Sequence, residues 1–193
     1  MPVLQLVPIF LPRESPVLAR LAARLERIFA STVAIRTPRF DPEMAFDSSR
    51  GQYNSTNLLG ALLDAPMTAD GRDDGRDGGR DDPRILGVAS VDLFIPILTY
   101  VFGEAQLDGR AAVVSLYRLD NAHYGLPKND DLLLDRLVKE AAHELGHTFG
   151  LVHCGDTSCV MRSSTYVEDI DVKSEKFCSA CLPAVRLPRT EKP

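Results

Sequence analysis

The sequence predicts an α/β fold, with a mixed, twisted sheet covered by helices in one compact domain spanning residues 1–193. The chain has 193 residues, of which 45% are hydrophobic, and this is enough apolar material for a sizeable single core. Short apolar runs rich in Val and Ile alternate with segments whose apolar residues recur at helical spacing. Strands that alternate with helices favour a parallel or mixed sheet with helices packed on it.

Each element follows from a local pattern. Residues 3–11 form an apolar, partly β-branched run, which predicts the first strand. Ser15 and Pro16 are typical of a helix cap and first turn, and leucines at helical spacing follow, so a helix is predicted over residues 15–30. The same kinds of pattern predict a strand at 32–37, a short helix at 57–63, a strand at 86–93, a helix at 95–102, a strand at 111–118 and a long helix at 130–148.

One segment interrupts this alternation. Residues 70–84 read DGRDDGRDGGRDDPR and contain no large apolar side chain. Such a segment cannot bury enough surface to offset its ordering entropy, so a disordered inserted loop is expected within the domain.

Three of the four histidines of the chain lie within the long predicted helix and just after it, in the pattern HExxHxxGxxH. His143 and His147 are four residues apart, so a helix directs both imidazoles towards one metal ion. Gly150 suits a helix end with a left-handed residue, after which the chain turns back and His153 becomes a third nitrogen ligand. Glu144 lies beside this metal rather than on it, where a carboxylate can take a proton from a zinc-activated water.

The full pattern is typical of zinc peptidases. It predicts hydrolysis of peptide bonds, with a peptide or protein as substrate, zinc on the three histidines and Glu144 as general base and acid. Two other functions stay open: a non-catalytic zinc-stabilised binding protein, and a zinc hydrolase that acts on a non-peptide amide. The choice between endopeptidase and aminopeptidase, the side-chain preference and the oligomeric state are not determined by the spacing.

All four cysteines follow the histidine motif, at Cys154, Cys159, Cys178 and Cys181. Their C-x4-C and C-x2-C spacing predicts a structural zinc segment over residues 154–181. Two disulfides are the alternative, and they require an oxidising compartment. The N-terminus has no basic residue before its apolar run and does not resemble a secretory signal, so a reducing cytoplasm, and therefore zinc, is favoured.

The stretch HELGHTFGLVHC-x4-C-x-M followed by FCSAC resembles the archaemetzincin family, in which a metzincin motif runs directly into a cysteine cluster. The resemblance is close over residues 140–181 and weaker at 50–56 and 101–106. It implies a metzincin-like zincin fold, a catalytic zinc on the three histidines with Glu144 as acid and base, and a structural zinc on the four cysteines. The chain would thus carry two zinc ions. The Met-turn of the family maps to Met161, and residues 70–84 look like an insertion in this chain.

Composition narrows the possible partners. The net charge of −5 without a clustered basic patch argues against nucleic acid. The most apolar stretch, residues 85–103, contains Asp92 and Pro96 near its centre, which argues against a membrane span.

The extended substrate is expected to pair with a sheet edge beside the metal. Residues 111–118 are the candidate edge, although a buried central strand explains them equally well. Tyr166 and His123 are interpreted as loop residues.

Overall fold

A five-stranded sheet with helices on both faces organises the chain. The structure is a computed structural model that describes residues 4–37, 40–65 and 83–186. Its strands and helices are, in chain order, β1 Leu4–Ile9, α1 Pro16–Phe29, β2 Val33–Ile35, β3 Phe46–Asp47, β4 Gln52–Asn54, α2 Ser55–Asp64, β5 Arg84–Ala89, β6 Leu93–Phe94, β7 Gly103–Ala105, β8 Ala111–Ser115, α3 Asp130–Thr148, α4 Val167–Val172 and α5 Leu182–Arg186.

The main sheet has the strand order β2-β1-β5-β8-β7. Its first four strands are parallel, and β7 pairs with β8 in the antiparallel direction, so the sheet is mixed as predicted. Successive residues of β5 enter two separate cores: Leu86 and Val88 pack on the side of α1 and α3, and Ile85 and Ala89 pack on the side of α2. Burial of both faces explains why the strands are continuous apolar runs rather than alternating ones. A smaller sheet, β3-β4-β6, was not predicted.

Helix α3 has the bounds predicted from the sequence. The side chain of Asn129 accepts a hydrogen bond from the backbone N–H of Leu132, which caps the first turn. Two aspartates, Asp130 and Asp131, occupy that turn, where negative charge stabilises a helix. At the other end Gly150 adopts a φ of 84°, as a left-handed C-terminal glycine does. The earlier elements β1, α1, β2 and α2 also lie close to their predicted bounds, whereas the strand predicted at 86–93 is β5, which ends at Ala89, and Leu93 belongs to the separate strand β6.

The prediction that residues 111–118 form a sheet edge is wrong. Strand β8 ends at Ser115 and lies between β5 and β7, with all five of its residues buried. A short 3-10 helix over Tyr117–Leu119 follows it. Small and β-branched side chains that pack on both faces suit an interior strand. The edge beside α3 is instead the three-residue strand β7.

The predicted helix at residues 95–102 is also wrong. The segment forms turns, and Val101 makes an isolated antiparallel bridge with Leu93 before β7 begins. Its backbone carbonyls are bound by distant side chains, because Arg50 donates to the carbonyl of Leu98 at 2.9 Å and Gln52 donates to that of Thr99 at 3.0 Å. These tertiary contacts replace the internal hydrogen bonds that a helix would need.

The predicted loop at residues 70–84 extends too far at its C-terminal end. Residues 70–82 lie outside the described part of the chain. Arg84, however, is the first residue of β5 and is only 2% exposed, with its guanidinium 3.6 Å from the centroid of the Phe149 ring. A loop in this region therefore ends before Arg84. Among the helices that the structure describes, none has both the length and the apolar character that crossing a bilayer requires.

Candidate metal centre

The three motif histidines converge at the C-terminal end of α3. His143 and His147 lie one turn apart on the helix, and their Nε2 atoms are 3.1 Å apart. The ring of His153, in the loop after Gly150, lies 5.2 Å from that of His143 and 5.1 Å from that of His147, measured between ring centroids. One nitrogen of each imidazole lies within 4.8 Å of the other two. The sequence therefore predicted correctly which histidines come together.

Hydrogen bonds behind two of these rings orient them. His143 Nδ1 lies 2.9 Å from the carbonyl oxygen of Val160, and His147 Nδ1 lies 2.7 Å from that of Leu151. A carbonyl oxygen only accepts, so Nδ1 carries the proton in each ring and Nε2 keeps its lone pair. Two lone pairs that face each other repel unless a cation lies between them. Two tetrahedral Zn–N bonds of about 2.0–2.1 Å place their nitrogens about 3.3 Å apart, close to the separation observed here.

The surroundings keep these imidazoles neutral. Burial, followed by the positive charge of Lys173, lowers the pKa of His143 to about 3. Burial also lowers the pKa of His147. Metal ions bind the neutral imidazole, so the site holds both side chains in the form that coordination requires.

Glu144 lies beside the histidine cluster and lines the same cavity, which has a volume of about 880 Å³. Burial, followed by the nearby carboxylate of Glu140, raises the pKa of Glu144 well above its usual range. A divalent cation at the histidines would oppose this effect. The cluster thus places three imidazole nitrogens beside one buried carboxylate, that of Glu144.

Strand β7 approaches Glu144 closely at Gly103. A Cβ atom on Gly103 would lie 2.6 Å from Glu144 Cγ and 2.6 Å from the backbone oxygen of Val113 in β8. No side chain fits there unless β7 or Glu144 moves. The absence of a side chain at Gly103 therefore allows the carboxylate to lie against the edge strand.

Replacing Gly103 with alanine is expected to lower kcat/KM about 10²-fold with zinc retained, because a displacement of about 1 Å in a catalytic group has an effect of this size. Peptide cleavage rates and zinc content per chain measure the two effects. Gly60→Ala is the matched control, since a Cβ on that residue of α2 meets nothing within 4 Å. Full activity in Gly103→Ala would show that the close approach has no catalytic importance.

The four cysteines form a second cluster next to the first. Their sulfur atoms lie within 4.8 Å of one another, and all four are free thiols. Cys154 Sγ and Cys178 Sγ are 3.8 Å apart, whereas a disulfide joins sulfurs at about 2.05 Å. Two tetrahedral Zn–S bonds of about 2.3 Å place their sulfurs about 3.8 Å apart.

Backbone amides favour a thiolate in this cluster. The N–H of Cys181, followed by that of Ala180, lowers the pKa of Cys178 to about 7 despite an opposing effect of burial. Burial raises the pKa of Cys159 and of Cys181. Only the thiolate coordinates zinc, so a zinc ion bound by all four sulfurs would hold them in the deprotonated form.

The two clusters share backbone. Cys159 belongs to the second cluster, and the next residue, Val160, supplies the carbonyl that orients His143. The N–H of Cys154, which directly follows His153, donates to the carbonyl of Met161 at 2.9 Å. Any movement of the cysteine segment would therefore be transmitted to the histidines.

Met161 packs beneath α3 at Gly146, between the two helical histidines. It is fully buried, and a Cβ on Gly146 would overlap its sulfur atom. The sequence pointed to Met161 but gave no role to Gly146. The only indication in the sequence was the position of Gly146 inside a predicted helix, where a glycine is often required by close packing.

Two further segments, near residues 98–105 and 163–166, form walls of the cavity. The Tyr100 hydroxyl donates to the Thr165 carbonyl at 3.0 Å and links them. Tyr166, interpreted as a loop residue from the sequence, directly precedes α4 and lines the cavity with 64% of its surface exposed. His123 lies in a 3-10 helix against the rings of Tyr117 and Tyr124 and joins neither cluster.

A family model described as Peptidase family M54 matches residues 29–187 of the chain. The chain belongs to peptidase family M54. An archaemetzincin of Methanocaldococcus jannaschii is 42% identical over 146 residues, which cover 75% of this chain and 73% of that protein. The solved structure of an archaemetzincin from Archaeoglobus fulgidus, complexed with malonate, has a TM-score of 0.75 at 34% identity, and the match covers 94% of this chain and 99% of that one. A zinc-dependent peptidase from Methanocorpusculum labreanum has a TM-score of 0.79 at 28% identity, over 95% of this chain and 100% of that one.

Membership of M54 confirms three predictions made from the sequence. The archaemetzincin resemblance is correct, and so is the α/β fold class with its histidine and cysteine clusters. The protein is a zinc-dependent metallopeptidase that acts on peptides or proteins. Neither a non-catalytic binding protein nor a hydrolase of other amides is favoured.

Proposed function

We propose that this M54 peptidase holds two zinc ions, a catalytic one on His143, His147 and His153 and a structural one on the four cysteines. The proposal is supported by the fit of the donor atoms, since the 3.1 Å nitrogen separation and the 3.8 Å sulfur separation match tetrahedral zinc. At the histidine cluster zinc supplies a Lewis acid that polarises the scissile carbonyl and acidifies water. The cysteine cluster offers no free coordination position, as in a structural site.

Glu144 is the catalytic residue in this proposal. Its carboxylate takes a proton from the attacking water and then gives that proton to the amine that leaves when the C–N bond breaks. Its place on the cavity wall next to His143 supports this role, as does its immobilisation between α3 and Gly103 of β7. Met161 supports the helical histidines from below by packing against Gly146.

The substrate is proposed to lie extended along β7. This strand pairs with β8 on one side only within the described residues, and its residues Gly103–Ala105 line the cavity on the other side. A peptide can add to such an edge through main-chain hydrogen bonds. Strand β7, rather than residues 111–118, is therefore the proposed edge that pairs with the extended substrate.

Domain organisation and compartment complete the proposal. The histidine cluster, the cysteine segment 154–181 and both sheets are proposed to belong to one metallopeptidase domain spanning residues 1–193. A reducing cytoplasm is the proposed location. The support for it is the arrangement of the thiols as a tetrad within 4.8 Å rather than as two disulfides.

The observation that carries the catalytic proposal is the convergence of three imidazoles beside a buried carboxylate in one cavity. The test is cleavage of a mixed peptide library by the purified protein, after a chelator and again after added zinc. Cleavage that stops on chelation and returns with zinc is expected. The positions of the cuts distinguish internal cleavage from trimming of the N-terminus. Cleavage that persists without metal would contradict the proposal.

A further inference from the structure

Several large apolar side chains are exposed to solvent along the cavity that contains the histidine cluster. Among the described residues they are Leu98, Leu107, Val152 and Tyr166. Exposed apolar side chains are ordinary when they are scattered singly, whereas a group of them along one cleft indicates a binding surface. Leu98 and Tyr166 belong to the wall segments that the Tyr100 hydroxyl links. Leu107 and Val152 lie elsewhere in the cavity, near the end of α3.

Leu107 and Val152 flank the same end of helix α3. Leu107 follows strand β7 and is 60% exposed, and Val152 lies in the loop after Gly150 and is 64% exposed. The two segments are joined, because the backbone N–H of Asp108 donates to the carbonyl of His147 at 2.9 Å. They also come close at Gly150, where an added Cβ atom would lie 3.4 Å from a carboxylate oxygen of Asp108.

This end of the cavity lies within reach of a peptide bound at the histidine cluster. Val152 directly precedes His153, so its exposed side chain is next to a proposed metal ligand. Leu107 is four positions beyond Gly103, the residue of β7 that lies against Glu144. An extended chain advances about 3.3 Å per residue. A peptide that runs along β7 from the scissile bond therefore reaches Leu107 within about four residues.

The chemistry of the two side chains defines what they can bind. Leu107 and Val152 offer neither a donor nor an acceptor, so a polar substrate side chain placed on them would lose hydrogen bonds to water without replacement. None of the described residues that line the cavity is Lys or Arg, so its wall provides no basic side chain for an acidic one. An aliphatic side chain has neither cost, and it covers the exposed apolar surface.

We propose that Leu107 and Val152 form an apolar subsite, which binds an aliphatic side chain of the substrate, such as that of Leu, Ile, Val or Met, close to the scissile bond. The inference rests on the proposed function in one respect, the position of the scissile bond at the histidine cluster next to Glu144. The occupant is a side chain of the peptide, because the surface is continuous with the catalytic cavity and with the edge strand β7.

The test uses alanine-based peptides that carry either Leu or Asn at one position, which is moved along the peptide. Leu and Asn side chains have nearly the same shape and differ in polarity. Cleavage is followed by mass spectrometry, and binding to the zinc-loaded Glu144→Gln variant is measured by calorimetry. Leu is expected to be favoured about tenfold over Asn in kcat/KM and in Kd, as for apolar contacts in other substrate pockets. The cut is expected to follow Leu along the peptide, at a constant number of residues from it.

Two substitutions make the subsite polar with little change in shape. Val152→Thr and Leu107→Asn are each expected to reduce the Leu-to-Asn ratio from about tenfold to about threefold, since each removes about half of the apolar contact. The matched controls are Val172→Thr and Leu126→Asn, because these side chains are also exposed but do not line the cavity. The controls are expected to keep the wild-type ratio. All four positions are exposed, so the variants are expected to fold like the wild type.

Each outcome is decisive. Equal use of Leu and Asn by the wild type, a cut that does not follow Leu, or a ratio that is unchanged in either subsite variant would overturn the subsite. Preferential binding of the Leu peptides without cleavage of any peptide would support the subsite and contradict the catalytic proposal. Cleavage without a preference would do the reverse. An absence of both binding and cleavage for all the peptides would overturn both.

Discussion

Replacing Glu144 with glutamine is expected to lower kcat about 10²- to 10⁴-fold, the usual contribution of general acid–base catalysis, with zinc still bound. Glutamine has nearly the same volume, so it fits between α3 and Gly103 where the carboxylate now lies. It cannot take up a proton from water. The three histidines are unchanged, and no loss of metal is expected.

The measurement pairs kcat with the zinc content of each purified protein. Glu168→Gln is the matched control, because Glu168 is exposed on α4 and does not line the cavity. Wild-type activity is expected in the control. If Glu144→Gln kept its activity, or lost activity only in proportion to lost zinc, Glu144 would not be the general base.

Replacing Cys178 with serine is expected to reduce the zinc content from two ions to one and to lower kcat/KM about 10²-fold, the effect of misplaced catalytic groups. The physical reason is the shared backbone. Val160, next to Cys159, orients His143 through its carbonyl, and Cys154 directly follows His153. Loss of the structural zinc should allow the backbone at Val160 and at Cys154 to move, and with it His143 and His153. The reason is that the binding energy of a structural zinc contributes directly to folding.

Four measurements on Cys178→Ser check this: kcat/KM for peptide cleavage, zinc content, the midpoint of thermal unfolding and the affinity of the remaining zinc. Ser179→Ala, at the exposed neighbouring position, is the control and should match the wild type in all four. If Cys178→Ser retained the wild-type cleavage rate and catalytic zinc affinity, the two clusters would be independent.

The features that the sequence predicted well depend on local chemistry. The predicted bounds of helix α3 agree with the structure, because the histidine motif and the glycine at the end of the helix are local signals. The histidine and cysteine clusters were predicted from spacing, since metal geometry restricts which spacings can converge. Boundaries of the other elements were less accurate because helix and strand ends carry weaker signals.

The features that the sequence did not predict depend on residues far apart in the chain. Residues 95–102 contain apolar residues at plausible helical spacing, yet the side chains of Arg50 and Gln52 hold their carbonyls in turns. The edge position of β7 follows from strand order, which three residues of sequence cannot encode. Gly103 acquires its importance only when Glu144, 41 positions later, is packed against it.

The histidine cluster and the cysteine cluster are each proposed to hold one zinc ion. X-ray diffraction from crystals grown with zinc, recorded on both sides of the zinc absorption edge, tests it most directly. Two anomalous peaks are expected, one bonded to His143, His147 and His153 and one bonded to the four cysteine sulfurs. A single peak, or a peak away from the three histidines, would contradict the claim.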